Sequence, residues 1–220
     1  MNASTTVPAT TPAAAPTAFD WANLAAYKTD GRFVDGLPPD ERTFFSPYDG
    51  QGIHRLIVDV LQSAQTSIVL NMYGYDDNEA DAAIRAKAAQ PNVYVQMSLD
   101  RSQAGGVHEA ALLKAWNADA FGTSIAVGTS SRHAISHLKV LIVDGVYTIT
   151  GSTNWSISGE QQQDNQLSIS RNAAFAAQCR GVLDRNHAFM LAQMRGQTQA
   201  VEAAAKIAAA HPPAAPPPAS

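Results

Sequence analysis

Apolar positions along the chain alternate between two periods. In residues 51–64, Ile53, Leu56, Ile57, Val60 and Leu61 recur at the spacing of one helix face. The next segment, TSIVLNMYGY at 66–75, is a short unbroken apolar run with the length of a buried strand. Residues 77–90 predict a second helix, with Asp77 or Asn78 as its N-cap and Pro91 just beyond its end. NVYVQMSLD at 92–100 alternates as a strand does. Gly105 and Gly106 precede a helix over 107–118, and TSIAVGT at 123–129 reads as another short strand. HLKVLIVDG (137–145) and VYTITGS (146–152) are two strands meeting at Asp144-Gly145, a dipeptide suited to a tight hairpin turn. DNQLSIS at 164–170 is a further strand, and 171–194 form a long closing helix with Gly181 as a local weakness. Strands alternating with helices and then a hairpin predict an α/β sandwich with a central mixed β-sheet.

The ends follow neither period. Residues 1–18 carry no charged side chain and consist mainly of Ala, Thr and Pro, a composition that cannot bury enough apolar surface to order itself. The segment 19–43 forms an N-terminal extension, with one short helix in FDWANLAAYK and a loop in TDGRFVDGLPPDER. Residues 44–195 hold the predicted domain. Residues 196–220 combine an Ala-rich helical stretch at 198–210 with a Pro-rich tail, in which five of the chain's 12 prolines lie beyond residue 206.

Composition narrows the function classes. No apolar run approaches the length of a membrane span. One cysteine, Cys179, excludes an intramolecular disulfide framework and any multi-cysteine zinc site. The net charge of −4 and pI of about 5.8 mean that any nucleic-acid contact must come from a local patch. The first basic residue is Lys28, and no apolar run precedes it, so a cytoplasmic protein is expected; a mature secreted or periplasmic form whose leader was replaced by Met1 is the alternative.

The chemistry concentrates in HLKVLIVDGVYTITGSTN, residues 137–154. His137 and Lys139 are two apart, so on a strand they share a face. Ser152 and Asn154 are again two apart, and Gly151 permits a close backbone approach. A hairpin turning at Asp144-Gly145 brings the two pairs to one end of a sheet. These groups suit a phosphodiester. Lysine supplies a point charge for phosphate oxygens, and serine and asparagine donate neutral hydrogen bonds. Histidine attacks phosphorus or protonates a leaving group. With Lys139 and the neutral donors stabilising the developing charge, no metal or other cofactor is required. Taken singly, each residue favours a solvated hairpin end; the combined spacing does not.

The pattern His-x-Lys-x₄-Asp-x₆-Gly-Ser-x-Asn resembles the HKD signature of the phospholipase D superfamily, present as His137, Lys139, Asp144, Gly151, Ser152 and Asn154. FFSPYDGQGIHRLIVDVLQSAQTSIVLNMYGY and VYVQMSLDRSQAGG are similar to the opening of its small bacterial endonuclease branch. The resemblance covers roughly 44–195. It implies a phospholipase D-like α/β/α sandwich, with His137, Lys139, Ser152 and Asn154 in the catalytic site and Asp144 and Gly151 as structural residues. It also implies a two-fold homodimer. The family site uses two such motifs and this chain has one, because His54, His108, His133 and His187 lack the lysine two residues on. In QQQDNQL, Asp164 matches the acidic residue that orients the histidine, one methylene shorter than the family's glutamate and after a loop one residue shorter; a strand-start aspartate is the bland reading.

Around this core, Arg132 and His133 precede the motif, and Arg132 is a candidate for a second phosphate; a solvated loop is the plainer reading. Trp155 is a candidate for stacking on a base, or else ordinary packing. Arg101 follows a strand end and is a candidate for the cleft. The expectation is a metal-independent phosphodiesterase, an endonuclease acting on DNA or RNA through a phosphohistidine, without stable membrane association. The alternatives are a lipid phosphodiesterase of the phospholipase D type and a catalytically silent nucleic-acid-binding module.

Overall fold

The computed structural model describes residues 18–29, 33, 38–103, 114 and 124–210, the last fourteen of these by backbone alone. Among the described residues, seven strands and four α-helices follow in chain order: β1 (Glu41–Ser46), α1 (Gly50–Ser63), β2 (Ser67–Met72), α2 (Asn78–Ala88), β3 (Tyr94–Asp100), β4 (Ser124–Gly128), β5 (Lys139–Val143), β6 (Tyr147–Gly151), α3 (Ile157–Gln161), β7 (Asn165–Arg171) and α4 (Ala173–Ala210). A 3₁₀ helix at Trp21–Tyr27 precedes them, its first turn capped by Asp20. Residues 1–17 of the segment 1–18 expected to be disordered, the Pro-rich end and nearly all of the helix expected over 107–118 lie outside the described residues.

The strands form one mixed sheet in the order β1-β7-β6-β5-β2-β3-β4. β2, β3 and β4 run parallel, whereas β5, β6, β7 and β1 pair antiparallel. β2 is therefore the strand at which the direction of the sheet changes. β2 and β5 read as continuous apolar runs because helices cover both faces of the sheet. On one face, Ile53, Leu56, Ile57, Val60 and Leu61 of α1 join a core with Leu70, Met97, Leu141 and Ile149. Val69, Val140 and Ile142 point the other way and pack beneath Ala176 and Leu183 of α4. The α/β/α sandwich around a mixed sheet is the architecture present.

The hairpin turns where the dipeptide demands. Asp144 and Gly145 both hold positive φ, at 53° and 66°, and Val146 N–H closes the turn on Val143 C=O at 3.1 Å. Three features differ from the sequence reading. β1 lies partly in the segment assigned to an extension: it is an edge strand paired only with β7, and its ERTFFS sequence lacks a clean alternation. α3 has five residues, too few to show a helical period. β5 starts at Lys139, so His137 precedes the strand instead of sharing it. The closing helix and the Ala-rich stretch form one helix through Gly181, where an added Cβ would meet only Arg185 Nη1, at 3.9 Å.

Candidate active site

The register of the sheet places the ends of five strands side by side. Met72 pairs with Lys139, and Val140 with Thr150. Gly151 pairs with Leu167, and Asn165 with Ser46. Residues just outside these pairs, Tyr73, His137, Ser152 and Asn154, thus gather at one sheet end next to β2. A ligand site is expected there, outside the strand end at which an open sheet reverses.

Gly151 makes the close approach possible. A side chain there would place its Cβ 2.1 Å from Gln166 C=O, so only glycine lets β6 lie against β7 at this point. Ser152 N–H then donates to Gln166 C=O at 2.9 Å.

Lys139 is 5% exposed, and its Nζ donates to His137 C=O at 3.1 Å while lying 4.8 Å from the centre of the Tyr73 ring. Burial pushes its ammonium below its ordinary value. No carboxylate forms an ion pair with it among the described residues. A desolvated cation held on a carbonyl and an aromatic face is suited to receive an anion.

His137 is exposed, and its ring meets Tyr73 edge-on at 4.6 Å. The segment leading to it is pinned from below. Ser136 N–H donates to the buried Asp100 carboxylate, and Asn71 Nδ2 donates to Ser136 Oγ at 3.2 Å. Asp100 is further held by Ser102 N–H and Oγ, at 2.9 and 2.6 Å. Tyr73, Asn71, Asp100 and Ser136 are the supporting residues that sequence reasoning missed. Their only signal was position, since Tyr73 and Asp100 sit at the C-terminal ends of parallel strands.

Asn154 Oδ1 accepts from Gly74 N–H at 3.3 Å, which directs its amide nitrogen elsewhere. That nitrogen makes no hydrogen bond among the described residues, so it is available as a donor. Ser152 is differently placed. Its hydroxyl donates to Asn165 Oδ1 at 2.9 Å and accepts from Gln166 N–H at 3.0 Å, tying β6 to β7.

The Asp144 carboxylate accepts from Gln65 N–H at 3.0 Å, Thr66 N–H at 2.8 Å, Ser67 N–H at 3.0 Å and Thr66 Oγ1 at 3.0 Å. It joins the hairpin turn to the start of β2. Burial raises its pKa, but these donors outweigh burial and hold the carboxyl below its ordinary value.

One candidate needs correction. Trp155 is 1% exposed and packs on Tyr75, so it presents no ring face to a base. Asp164 is exposed and makes no hydrogen bond to His137, whose imidazole meets the Tyr73 ring. Arg132 is exposed in a tight loop closed by Ser130 N–H on Ala134 C=O. Arg101 is likewise exposed, with its N–H on Gly128 C=O. Beside Ser152 opens a cavity of about 630 Å³, lined by Asp164 and Asn165 on one side and by Lys28, Phe45 and Tyr48 on the other. Phe45 and Tyr48 are 51% and 65% exposed.

Residues 57–186, more than half of the chain, match the family described as "Cardiolipin synthase, PLD-like domain". The chain belongs to the phospholipase D superfamily. The matched span contains His137, Lys139, Asp144, Ser152 and Asn154. Among relatives in this superfamily, a phospholipase D of Rickettsia bellii is 29% identical over 138 residues, covering 61% of this chain and 62% of that protein. The chain therefore spans only about three-fifths of that relative's length. Of the solved structures, NucT from Helicobacter pylori superposes with a TM-score of 0.59 at 17% identity, over 66% of this chain and 94% of that one. Nuc from Salmonella typhimurium, a phospholipase D family member, superposes with a TM-score of 0.56 at 25% identity, over 66% of this chain and 92% of that one. The shared part is the phospholipase D-like sandwich.

Proposed function

We propose that this phospholipase D-superfamily chain is a metal-independent endonuclease that hydrolyses DNA or RNA at a site shared by two copies. The observation that carries the reading is the convergence of His137, the buried cation of Lys139 and the free amide of Asn154 at one sheet end. The His137 imidazole attacks phosphorus, and the ester oxygen leaves as an alcohol after taking a proton from the second copy's His137. Water then attacks the phosphohistidine, giving up a proton to that second imidazole, and the first His137 is released. Lys139 and Asn154 hold the non-bridging oxygens, where charge develops. Ser152 supports this array through Asn165. Cytoplasmic action is the accompanying expectation.

Nucleic acid is favoured over lipid by the exposed rings of Phe45 and Tyr48 at the cavity beside Ser152, which suit bases. Among the described residues, no helix is long and apolar enough to cross a membrane. The relatives named phospholipase D favour a second reading, a lipid phosphodiesterase using the same atoms.

The test is plasmid cleavage in excess EDTA, at a temperature where circular dichroism shows the chelated protein folded, beside turnover of phosphatidylcholine vesicles. The expected result is cutting by the wild type and a loss on the order of a thousandfold or more in His137→Ala. Vesicle turnover without DNA or RNA cleavage establishes the lipid reading. Cleavage undiminished in His137→Ala removes the phosphohistidine.

A further inference from the structure

A second cluster of charged groups lies outside this machinery. His54 projects from α1 towards Asp77, the N-cap of α2, and Glu160 of α3. Its Nδ1 is 2.8 Å from Glu160 Oε2 and 3.2 Å from Asp77 Oδ2. Its Nε2 is 3.2 Å from Glu79 Oε2. Asp77 and Glu160 are 5% and 1% exposed, whereas the Glu79 side chain is 75% exposed.

Hydrogen bonding leaves the cluster incomplete. One ring nitrogen faces two buried carboxylates, and a single N–H serves only one of them well. Asp77 Oδ1 is already used in capping α2, accepting from Glu79 N–H at 2.8 Å and Ala80 N–H at 3.1 Å. Asp77 Oδ2 and Glu160 Oε1 are buried without a hydrogen-bond partner. Unpartnered, buried carboxylate oxygens are costly and call for a further group.

We propose that His54 Nδ1, Asp77 Oδ2 and Glu160 bind a divalent transition-metal ion, of which Zn²⁺ is the probe of choice, at a structural site separate from the phosphodiesterase centre. One nitrogen and two carboxylate ligands, with ligand atoms all within 4.8 Å of one another, form a compact set for such an ion. A neutral imidazole and two carboxylates carry two negative charges, which a divalent cation balances. Glu79 then has a defined place. With Nδ1 on the metal, Nε2–H donates to Glu79 Oε2, the outer-shell carboxylate that fixes a ligating histidine's tautomer and orientation. The exposed side of Glu79 also marks the way in for the ion.

The location gives the ion a task. α3 begins three residues after Asn154, and Asn165 Nδ2 donates to Gly159 C=O at 2.8 Å. Asp76 N–H donates to Trp155 C=O at 2.8 Å. An ion joining α1, the start of α2 and α3 ties down the loop that carries Asn154 without touching the reacting phosphate.

The test uses the full, untagged chain, stripped with a chelator and then dialysed. Zn²⁺ is titrated calorimetrically, and Co²⁺ is added to read its visible d–d absorption. The expected result is about one equivalent of Zn²⁺ per chain and a Co²⁺ spectrum of low coordination number. Glu160→Gln weakens binding by on the order of a hundredfold or more, and the exposed, fold-neutral Glu79→Gln by about 10–100-fold. His133→Ala binds as the wild type does. Absence of tight Zn²⁺ binding overturns the proposal and leaves the cluster as an ion network held by protonated His54. Binding unchanged in both glutamate variants also overturns it, by placing the ion elsewhere. Should Glu160→Gln fail to fold, Glu79→Gln decides alone.

Discussion

Tyr73 is held by its neighbours and holds His137 in turn. Its ring meets the His137 imidazole edge-on and lies beneath the Lys139 ammonium, while its hydroxyl accepts from Gln103 Nε2 at 3.1 Å. Two groups that meet one phosphate in the proposed reaction are therefore positioned by one aromatic face. Removing the ring frees the imidazole to rotate away from its line of attack, a misplacement felt in the chemical step more than in binding. Tyr73→Ala is expected to lower kcat by roughly tenfold or more with little change in KM. Tyr73→Phe, which keeps the ring, is expected to restore most of the rate. Steady-state kinetics on a short oligonucleotide check this, and a loss confined to KM would assign Tyr73 to substrate binding. His137, Lys139 and Asn154 were legible in the sequence because their spacing is local and their chemistry distinctive. Tyr73, Asn71 and Asp100 were not, because each reads as an ordinary position on a buried strand. Only the pairing of Met72 with Lys139 brings Tyr73 under the histidine. Trp155 differs in the other direction: its place beside Asn154 made it a candidate for stacking on a base, and the packing partner that buries it, Tyr75, lies 80 residues away in the sequence.

Among the elements, the β5–β6 hairpin was the most legible, since Asp-Gly between two apolar runs specifies both the turn and the register. What the turn does for the sheet was less visible. Asp144 is left-handed at φ 53° and accepts four hydrogen bonds from the segment that opens β2. One side chain thus satisfies three backbone donors and aligns β5 with β2, the strand pair that sets Lys139 beside Tyr73. Asp144→Ala leaves those donors without their acceptor and is expected to cost about 2–3 kcal/mol near neutral pH, measured by urea unfolding. The sign of its pH dependence follows from the depressed carboxyl. Its contribution is complete above the ordinary value of 3.8 and is lost as pH falls through the lower folded-state value. The gap between wild type and variant should therefore narrow only in strong acid. A gap that closes near pH 6 would show that another group carries it. β1 and α3 were illegible for opposite reasons: an edge strand needs no alternation when only one neighbour pairs with it, and a five-residue helix is fixed by its Ser156 cap and its packing on α1.

For the molecule as a whole, one sandwich carries a single His137 and a single Lys139 at the end of its sheet. The proposed reaction needs two imidazoles, one to attack phosphorus and one to protonate the leaving oxygen. A closed two-fold dimer supplies the second without any further sequence and is the commonest way for a chain to pair with itself. This makes a quantitative difference between one chain and two. If wild-type and His137→Ala chains are unfolded together, refolded and allowed to pair at random, a mixed dimer has only one of its two histidines and is inactive. Activity then follows the square of the wild-type fraction. An equal mixture should retain about a quarter of the activity of the same total amount of wild type. If each chain works alone, the equal mixture retains about half, and the dependence on fraction is linear. The whole titration separates a square from a line, and light scattering on the same samples reports whether the chains pair at all. A linear dependence in a protein that is dimeric by scattering would mean that each chain completes its own site. The second proton carrier would then have to be sought within the chain, and the exposed carboxylate of Asp164 beside Ser152 is the group in place to be tested.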